Sequence, residues 1–353
     1  MVAVIQDEKM MNAVMYLEPG KLEYCKVPMP KIGVNDLLVK VQAALTCGTD
    51  LKTYKRGHPV IKPPTVFGHE YAGDVVEVGT NVKNFHPGMR VMAHNSAPCG
   101  KCYWCKHHQE SMCLNPVYNF GAFAEYIRVP APIVELNTYE IPENIPYARA
   151  AILEPLSTVV HGQSKLDIQP GERVAIIGAG GPIGLMHLQL ALLRGASEVI
   201  AVDMKDFRLQ VAKELGATHT IDLTKVDPVK AILELTDGIG VDAVIESAGA
   251  ADAWVMALKV VRKGGRVLWF GGLPQGTQVT VDSYSVHYGE LTMFGIYHCT
   301  PLDVYHAYEL ITTETINTEK LISGEMPLRQ VEEALLAMAE GKVIKMAIIP
   351  GRD

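Results

Sequence analysis

Sixteen residues, PCGKCYWCKHHQESMC (98–113), hold four of the chain's seven cysteines. Cys99, Cys102, Cys105 and Cys113 are separated by two, two and seven intervening residues, a spacing that lets one loop wrap a single tetrahedral zinc at Zn–S distances of about 2.3 Å. Four thiolates leave no open position, so an ion held there is structural and clamps its loop. An odd cysteine count, bunched in this way, points to metal or catalysis before disulfides in a reducing compartment. His107 and His108 fall inside the loop, but four thiolates already complete the shell, and both are expected at the surface.

Ligands for a second kind of site lie in three other places. Cys47 in LTCGTDLKTY ends an alternating segment and precedes a glycine. His69 and Glu70 in VFGHEYAG follow a glycine. Glu154 in AILEPLS precedes Pro155, which should hold it out of helical geometry and free it to project. Cys, His and one or two carboxylates make a zinc site that can keep a position open for Lewis-acid catalysis. Singly each is ordinary, since a lone histidine is commonly a satisfied core residue and a lone glutamate a solvated one. Their weight comes from the cofactor machinery downstream.

That machinery is RVAIIGAGGPIGLMHLQLALLRGASEVIAVD. A buried strand runs into a turn made of Gly178, Gly180, Gly181, Pro182, Ile183 and Gly184 and then directly into a helix, whose first backbone N–H groups can face a pyrophosphate. A second strand ends in Asp203, 19 residues beyond Gly184. A carboxylate there hydrogen-bonds an adenosine ribose and repels a 2′-phosphate, which favours NAD over NADP. Lys205 and Arg208 lie close enough to soften that preference. The structural alternative is that Asp203 caps the helix DFRLQVAKEL. The glycines read as Gly178-x-Gly180-x-x-x-Gly184, one residue longer than the usual fingerprint, or as Ala179-x-Gly181-x-x-Gly184 if the frame shifts.

The elements that must position these groups change rhythm near residue 160. Before it, short alternating segments such as Leu37 to Val41, Tyr71 to Val78 and Arg90 to Ala93 predict an antiparallel, barrel-like domain over residues 1–160. After it, RVAII, SEVIAVD, THTID, VDAVIES, GRVLWFGG and LTMFGIY alternate with helical stretches, which predicts a doubly wound parallel sheet over residues 161–298. The tail, 299–353, reads as helices at YHAYELI and QVEEALLAMAEG and a closing strand KMAIIP, assigned back to the first domain. At 353 residues, two domains are the natural division.

A net charge of -7 argues against nucleic acid or an anionic membrane as partner. The chain opens MVAVIQDEKMM without a leader-like pattern, and its longest apolar run is far short of a membrane span. A cytoplasmic protein is expected.

CGTD, GHE, the four-cysteine loop, AEY at Ala124–Tyr126, LEP and the glycine-rich turn together resemble the zinc-containing medium-chain alcohol dehydrogenases, from about residue 12 to the C-terminus. GHE and Glu154-Pro155 are most similar to the polyol (sorbitol-type), butanediol and threonine dehydrogenase branch. The resemblance implies an α/β protein with a GroES-like β-barrel catalytic domain and a Rossmann domain, assembled as a homotetramer or homodimer. It implies two zinc ions per chain, one catalytic and one structural, and NAD as cofactor. Cys47 and His69 would be catalytic zinc ligands, with Glu70 and Glu154 as third or exchanging ligands. Asp50 would orient His69, and Thr49 would hydrogen-bond the substrate oxygen and begin the proton path. Many relatives finish that path with a histidine where this chain has Lys52, which leaves Lys52 to bind cofactor ribose or a substrate anion, or to lie at the surface. The implied activity is NAD-linked oxidation of a secondary alcohol or polyol to the ketone, and the reverse. L-Threonine 3-dehydrogenase and polyol-phosphate dehydrogenase are the alternatives, with a zinc-free enone reductase or a non-catalytic NAD-binding protein more remote. Tyr54, Phe120, Tyr297 and His298 are pocket candidates by position alone.

Overall fold

The strand Leu37–Leu45 is buried at nearly every position, because it lies in the middle of a sheet. Its sheet runs in the order Thr138–Glu140, Arg90–Ala93, Glu70–Val78, Leu37–Leu45, Lys345–Ile349, Ile322–Pro327, and Tyr126–Val129 also pairs with Leu37–Leu45. These elements belong to one of two units in the computed structural model, which describes residues 9–352. The first unit runs to Pro155 and resumes at Thr300; the second is Leu156–Cys299. The expected break near residue 160 falls inside the helix Leu153–Leu166.

In the first unit a smaller sheet joins Lys21–Pro28, Met10–Glu18 and Thr65–Val66. Tyr16 stacks on Phe67 at 5.2 Å between ring centroids, and Phe67 meets Phe123 edge-on at 6.0 Å. All three are fully buried, each worth roughly 1.5–3 kcal/mol in area removed from water. Gly73 lets the central strands close, since a Cβ there would stand 2.0 Å from the Lys40 carbonyl oxygen. The final strand pairs Ala347 with Leu45 and Ile348 with Ala44, antiparallel, so the segment from Thr300 completes the first unit's sheet.

The second unit is a six-stranded, all-parallel sheet in the order His219–Asp222, Glu198–Asp203, Arg173–Ile177, Val241–Glu246, Val261–Trp269, Thr292–Gly295. This is the doubly wound order 3-2-1-4-5-6, whose direction reverses between the first and fourth strands and leaves a crevice at their carboxyl ends. Both inner strands are buried along almost their whole length, as strands covered on both faces must be. Among the described residues no helix is long and apolar enough to cross a membrane.

Candidate active site

Cys47 does not end the strand Leu37–Leu45 before a glycine turn; it is the N-cap of the helix Gly48–Arg56, and Gly48 is that helix's first residue. The cap explains the local sequence. The Thr49 N–H donates to Cys47 Sγ at 3.4 Å while the Cys47 N–H donates to Asp50 Oδ2 at 3.1 Å, a capping box with sulfur in place of the usual hydroxyl. The other oxygen of Asp50, Oδ1, stands 2.9 Å from His69 Nδ1. A carboxylate can only accept, so Nδ1 carries the proton and Nε2 is the nitrogen left to turn toward a metal. Asp50 therefore fixes the pose of Cys47 and the tautomer of His69 at once.

Glu154 Oε2 lies 3.9 Å from His69 Nε2. The expectation that Pro155 keeps Glu154 out of a helix is incorrect: both residues are in the first turn of the helix Leu153–Leu166. Proline is tolerated there because the first-turn amides have no intrahelical acceptor to lose. Glu154 also accepts, at 3.4 Å, from the amide of Asn95, a residue that motif reading passes over.

Donor atoms of Cys47, His69 and Glu70 all lie within 4.8 Å of one another. Glu70 opens the strand Glu70–Val78 and is fully buried, paired with the equally buried Lys345 at 2.7 and 2.9 Å. Lys345 is the functional neighbour the sequence did not yield, lying 275 residues away. A lysine in the apolar strand KMAII was the available signal. Burial pushes the Glu70 carboxyl up to about 7 against the pull of Lys345, and burial also raises the Cys47 thiol and the Glu154 carboxyl. Burial opposes a charge on His69, but Asp50 and Cys47 outweigh it and lift its pKa well above the imidazole range. Three acids, two of them fully buried, and a thiol face only one lysine and one histidine here, a donor set that a divalent cation neutralises. The residues fit zinc: sulfur, imidazole and carboxylate are its usual ligands where a position stays open.

Thr49 is half-buried beside Cys47, whereas Lys52, Lys55 and Arg56 are exposed. Lys55 and Arg56 occupy the last helical turn, where cations suit the dipole. Of the pocket candidates, Tyr54 donates its hydroxyl to Glu332, Phe120 stacks on Tyr118 at 5.8 Å, Tyr297 is exposed and His298 sits at a positive φ of 60°.

In the cysteine loop, Sγ–Sγ separations are 3.4 Å for Cys102–Cys105, 3.9 Å for Cys102–Cys113 and 4.0 Å for Cys99–Cys105. Four sulfurs about 2.3 Å from one tetrahedral ion would stand about 3.8 Å apart, so these spacings suit zinc. All seven cysteines are free thiols. Backbone donors from Cys105 and Leu114 lower Cys102 to about 6, which prepares a thiolate. His107 and His108 are exposed.

In the second unit, Gly178 turns at φ 79°, and a Cβ on Gly184 would stand 2.3 Å from the Gly178 carbonyl oxygen. A Cβ on Gly180 would meet the Arg208 Cβ at 2.4 Å, whereas one on Gly181 would meet nothing closer than 3.6 Å. The chain thus requires glycine at 178, 180 and 184, the longer of the two frames. Gly181 is the N-cap and Pro182 opens the helix Pro182–Leu193, leaving the amides of Ile183 and Gly184 ahead of the first intrahelical bond, from Leu185 to Gly181. The Gly180 amide is not turned toward a ligand; it donates to Asp203 Oδ2 at 2.9 Å, and Met204 donates to Oδ1. Asp203 does not cap the following helix, whose N-cap is Lys205.

Comparison with known proteins matches residues 33–143 to the alcohol dehydrogenase GroES-like domain and residues 182–313 to the zinc-binding dehydrogenase domain. An L-threonine 3-dehydrogenase of Bacillus licheniformis is 36% identical over 341 residues, covering 94% of this chain and 96% of that one. The chain belongs to the zinc-dependent medium-chain alcohol dehydrogenase family. A sorbitol dehydrogenase of Bacillus subtilis is 32% identical over 339 residues, covering 92% of this chain and 93% of the relative. A zinc-binding dehydrogenase of Sinorhizobium meliloti, solved with NADP bound, superimposes with a TM-score of 0.91 at 34% identity, over 97% of this chain and 100% of that one. The chain is accordingly an oxidoreductase with a GroES-like domain and a Rossmann domain, acting on alcohols with zinc and a nicotinamide cofactor.

Proposed function

We propose that this dehydrogenase oxidises a secondary alcohol that carries a neighbouring hydroxyl or amino group, a polyol or an amino alcohol such as L-threonine, with NAD as acceptor. The observation that carries the reading is the cluster of half-buried Cys47 and Glu154 with fully buried His69 and Glu70, with His69 held by Asp50. Cys47, His69 and Glu154 would hold the catalytic zinc, Glu70 serving as the exchanging ligand because Lys345 already engages it. Zinc, when bound, supplies Lewis acidity that lowers the pKa of an alcohol oxygen. Thr49 then accepts the substrate's hydroxyl proton and passes it toward solvent, and Asp50 keeps the imidazole from turning. The turn of Gly178, Gly180 and Gly184 would hold the nicotinamide cofactor, which would supply the acceptor for the hydride of the carbinol carbon, so that one NADH and one proton would be released per ketone formed. Cys99, Cys102, Cys105 and Cys113 would hold the second, structural zinc.

The placement of Asp203 at the end of its strand supports NAD over NADP by repulsion of a 2′-phosphate, with Arg208 packed beside Gly180 as the moderating charge. The relative 36% identical over nearly the whole chain favours L-threonine as the amino alcohol to try. A cytoplasmic homotetramer or homodimer is the assembly this family reading suggests. Initial rates of NADH formation by zinc-replete protein across L-threonine, sorbitol, 2,3-butanediol, simple secondary alcohols and polyol phosphates test the proposal. A clear preference for a substrate with a neighbouring polar group supports it; preference for simple secondary alcohols sinks the substrate class.

A further inference from the structure

Glu246 is a carboxylate that the chemistry above does not use. It ends the strand Val241–Glu246, with Ile177 of the first strand on one side and Trp269 of the fifth on the other. It therefore stands at the point where the strand order reverses and dinucleotides bind. It is fully buried. Oε1 accepts the Gly249 N–H at 2.7 Å, and its backbone carbonyl accepts the amides of both Phe270 and Gly271 at 2.9 Å. Burial raises its pKa, and the amides of Gly249, Ala248, Ala250 and Gly271 work against that rise. One residue thus gathers the loops that follow the fourth and fifth strands.

Those loops have no slack. A Cβ on Gly271 would stand 2.3 Å from the Gly249 nitrogen and 2.8 Å from Glu246 Oε2, and one on Gly178 would stand 2.8 Å from the Ala248 nitrogen. The glycine turn that opens the dinucleotide site is therefore in backbone contact with the Glu246 loops. From the far side Trp254, stacked on Trp269 at 4.5 Å, donates its indole N–H to the Gly271 carbonyl at 2.9 Å. Glu246 Oε2 has no partner of ordinary hydrogen-bond geometry among the described residues.

We propose that Glu246 is a positioning residue for the nicotinamide half of the dinucleotide, holding Ser247–Ala250 and Phe270–Gly272 against the Gly178 turn in the arrangement the cofactor needs. The inference rests on the reading of this unit as a nicotinamide-dinucleotide site. In a doubly wound sheet the two halves each take one mononucleotide. Asp203 marks the adenosine half, so the loops after the fourth and fifth strands serve the nicotinamide half. Loss of Glu246 should then weaken NAD while leaving a ligand that fills only the adenosine half untouched.

The test is equilibrium binding of NAD and of AMP to the intact protein and to Glu246→Ala and Glu246→Gln, alongside thermal unfolding. Removing a buried hydrogen-bond acceptor should raise the Kd for NAD in Glu246→Ala about tenfold or more, with the Kd for AMP within about twofold of wild type. Glu246→Gln, which can still accept from Gly249, should stay within about threefold of wild type for both. Equal weakening of NAD and AMP in Glu246→Ala would reduce Glu246 to a general stabiliser and overturn the proposal, as would unchanged NAD affinity or failure of glutamine to rescue. Should Glu246→Ala not fold, Gly271→Ala reads the same loops, because its new Cβ forces them apart; selective loss of NAD supports the proposal and unchanged or unselective binding refutes it. A wild type that binds neither NAD, NADP nor AMP would instead refute the cofactor reading beneath it.

Discussion

Replacing Lys345 by methionine should unsettle the metal centre without replacing any zinc ligand. Lys345 and Glu70 are 1% and 0% exposed and 2.7 Å apart. At an effective dielectric of about 20, charges at that separation attract by about 6 kcal/mol, a gain largely offset by the several kcal/mol each ion loses on leaving water. The intact pair is thus close to neutral in net stability. Removing one partner is not neutral, since the remaining buried carboxylate costs about 3–5 kcal/mol unless it takes up a proton. Because burial already holds Glu70 at about 7, protonation is within easy reach, so the lower end, about 3 kcal/mol, is expected. At about 2–4 °C per kcal/mol for a unit of this size, chelator-treated Lys345→Met should unfold about 6–12 °C below wild type. Zinc should recover part of the loss, as a divalent charge beside Glu70 replaces the missing ammonium. The assay is calorimetry with and without chelator, with the Glu70→Gln and double variants closing the cycle. A shift under about 2 °C, or strictly additive single and double variants, would mean that Glu70 does not depend on Lys345, and the reasoning would fail.

Cys102→Ser should release the structural ion and lower the melting temperature while the surviving turnover keeps its KM for NAD; unchanged unfolding and zinc content would contradict the clamp. His187 is fully buried and its pKa is depressed from 6.5 to about 3 by burial. The unfolded chain binds this proton at higher pH than the folded one, so the neutral ring's contribution is complete above about 6.5 and is lost as pH falls toward about 3, at roughly 1.4 kcal/mol per unit. His187→Leu should flatten the stability profile in that window; an unaltered acid slope counts against the assignment.

Much of the candidate site was legible because its residues are written in short runs. Four cysteines within one loop, a glycine-rich turn between strand and helix, and a run of apolar strands whose inner members are buried on both faces all depend on near neighbours. What failed depended on where an element begins. Pro155 reads as a helix stop, yet at the first turn it costs nothing, so Glu154 is helical. Gly48 reads as a turn but starts a helix capped by Cys47. Lys345 reaches Glu70 only because the last strand pairs with Leu37–Leu45, a consequence of topology that no local pattern carries. Asp203 was placed at the correct strand end, but its hold on the Gly180 amide depends on how the turn folds back on the next strand.

The most direct test of the account is zinc content measured together with NADH formation for wild type, Cys47→Ser and Cys102→Ser. The account predicts two zinc ions per wild-type chain, and one in each variant. Cys47→Ser should be folded, able to bind NAD and inactive; Cys102→Ser should be active but less stable. Turnover by zinc-free protein, or full activity in Cys47→Ser, would contradict it.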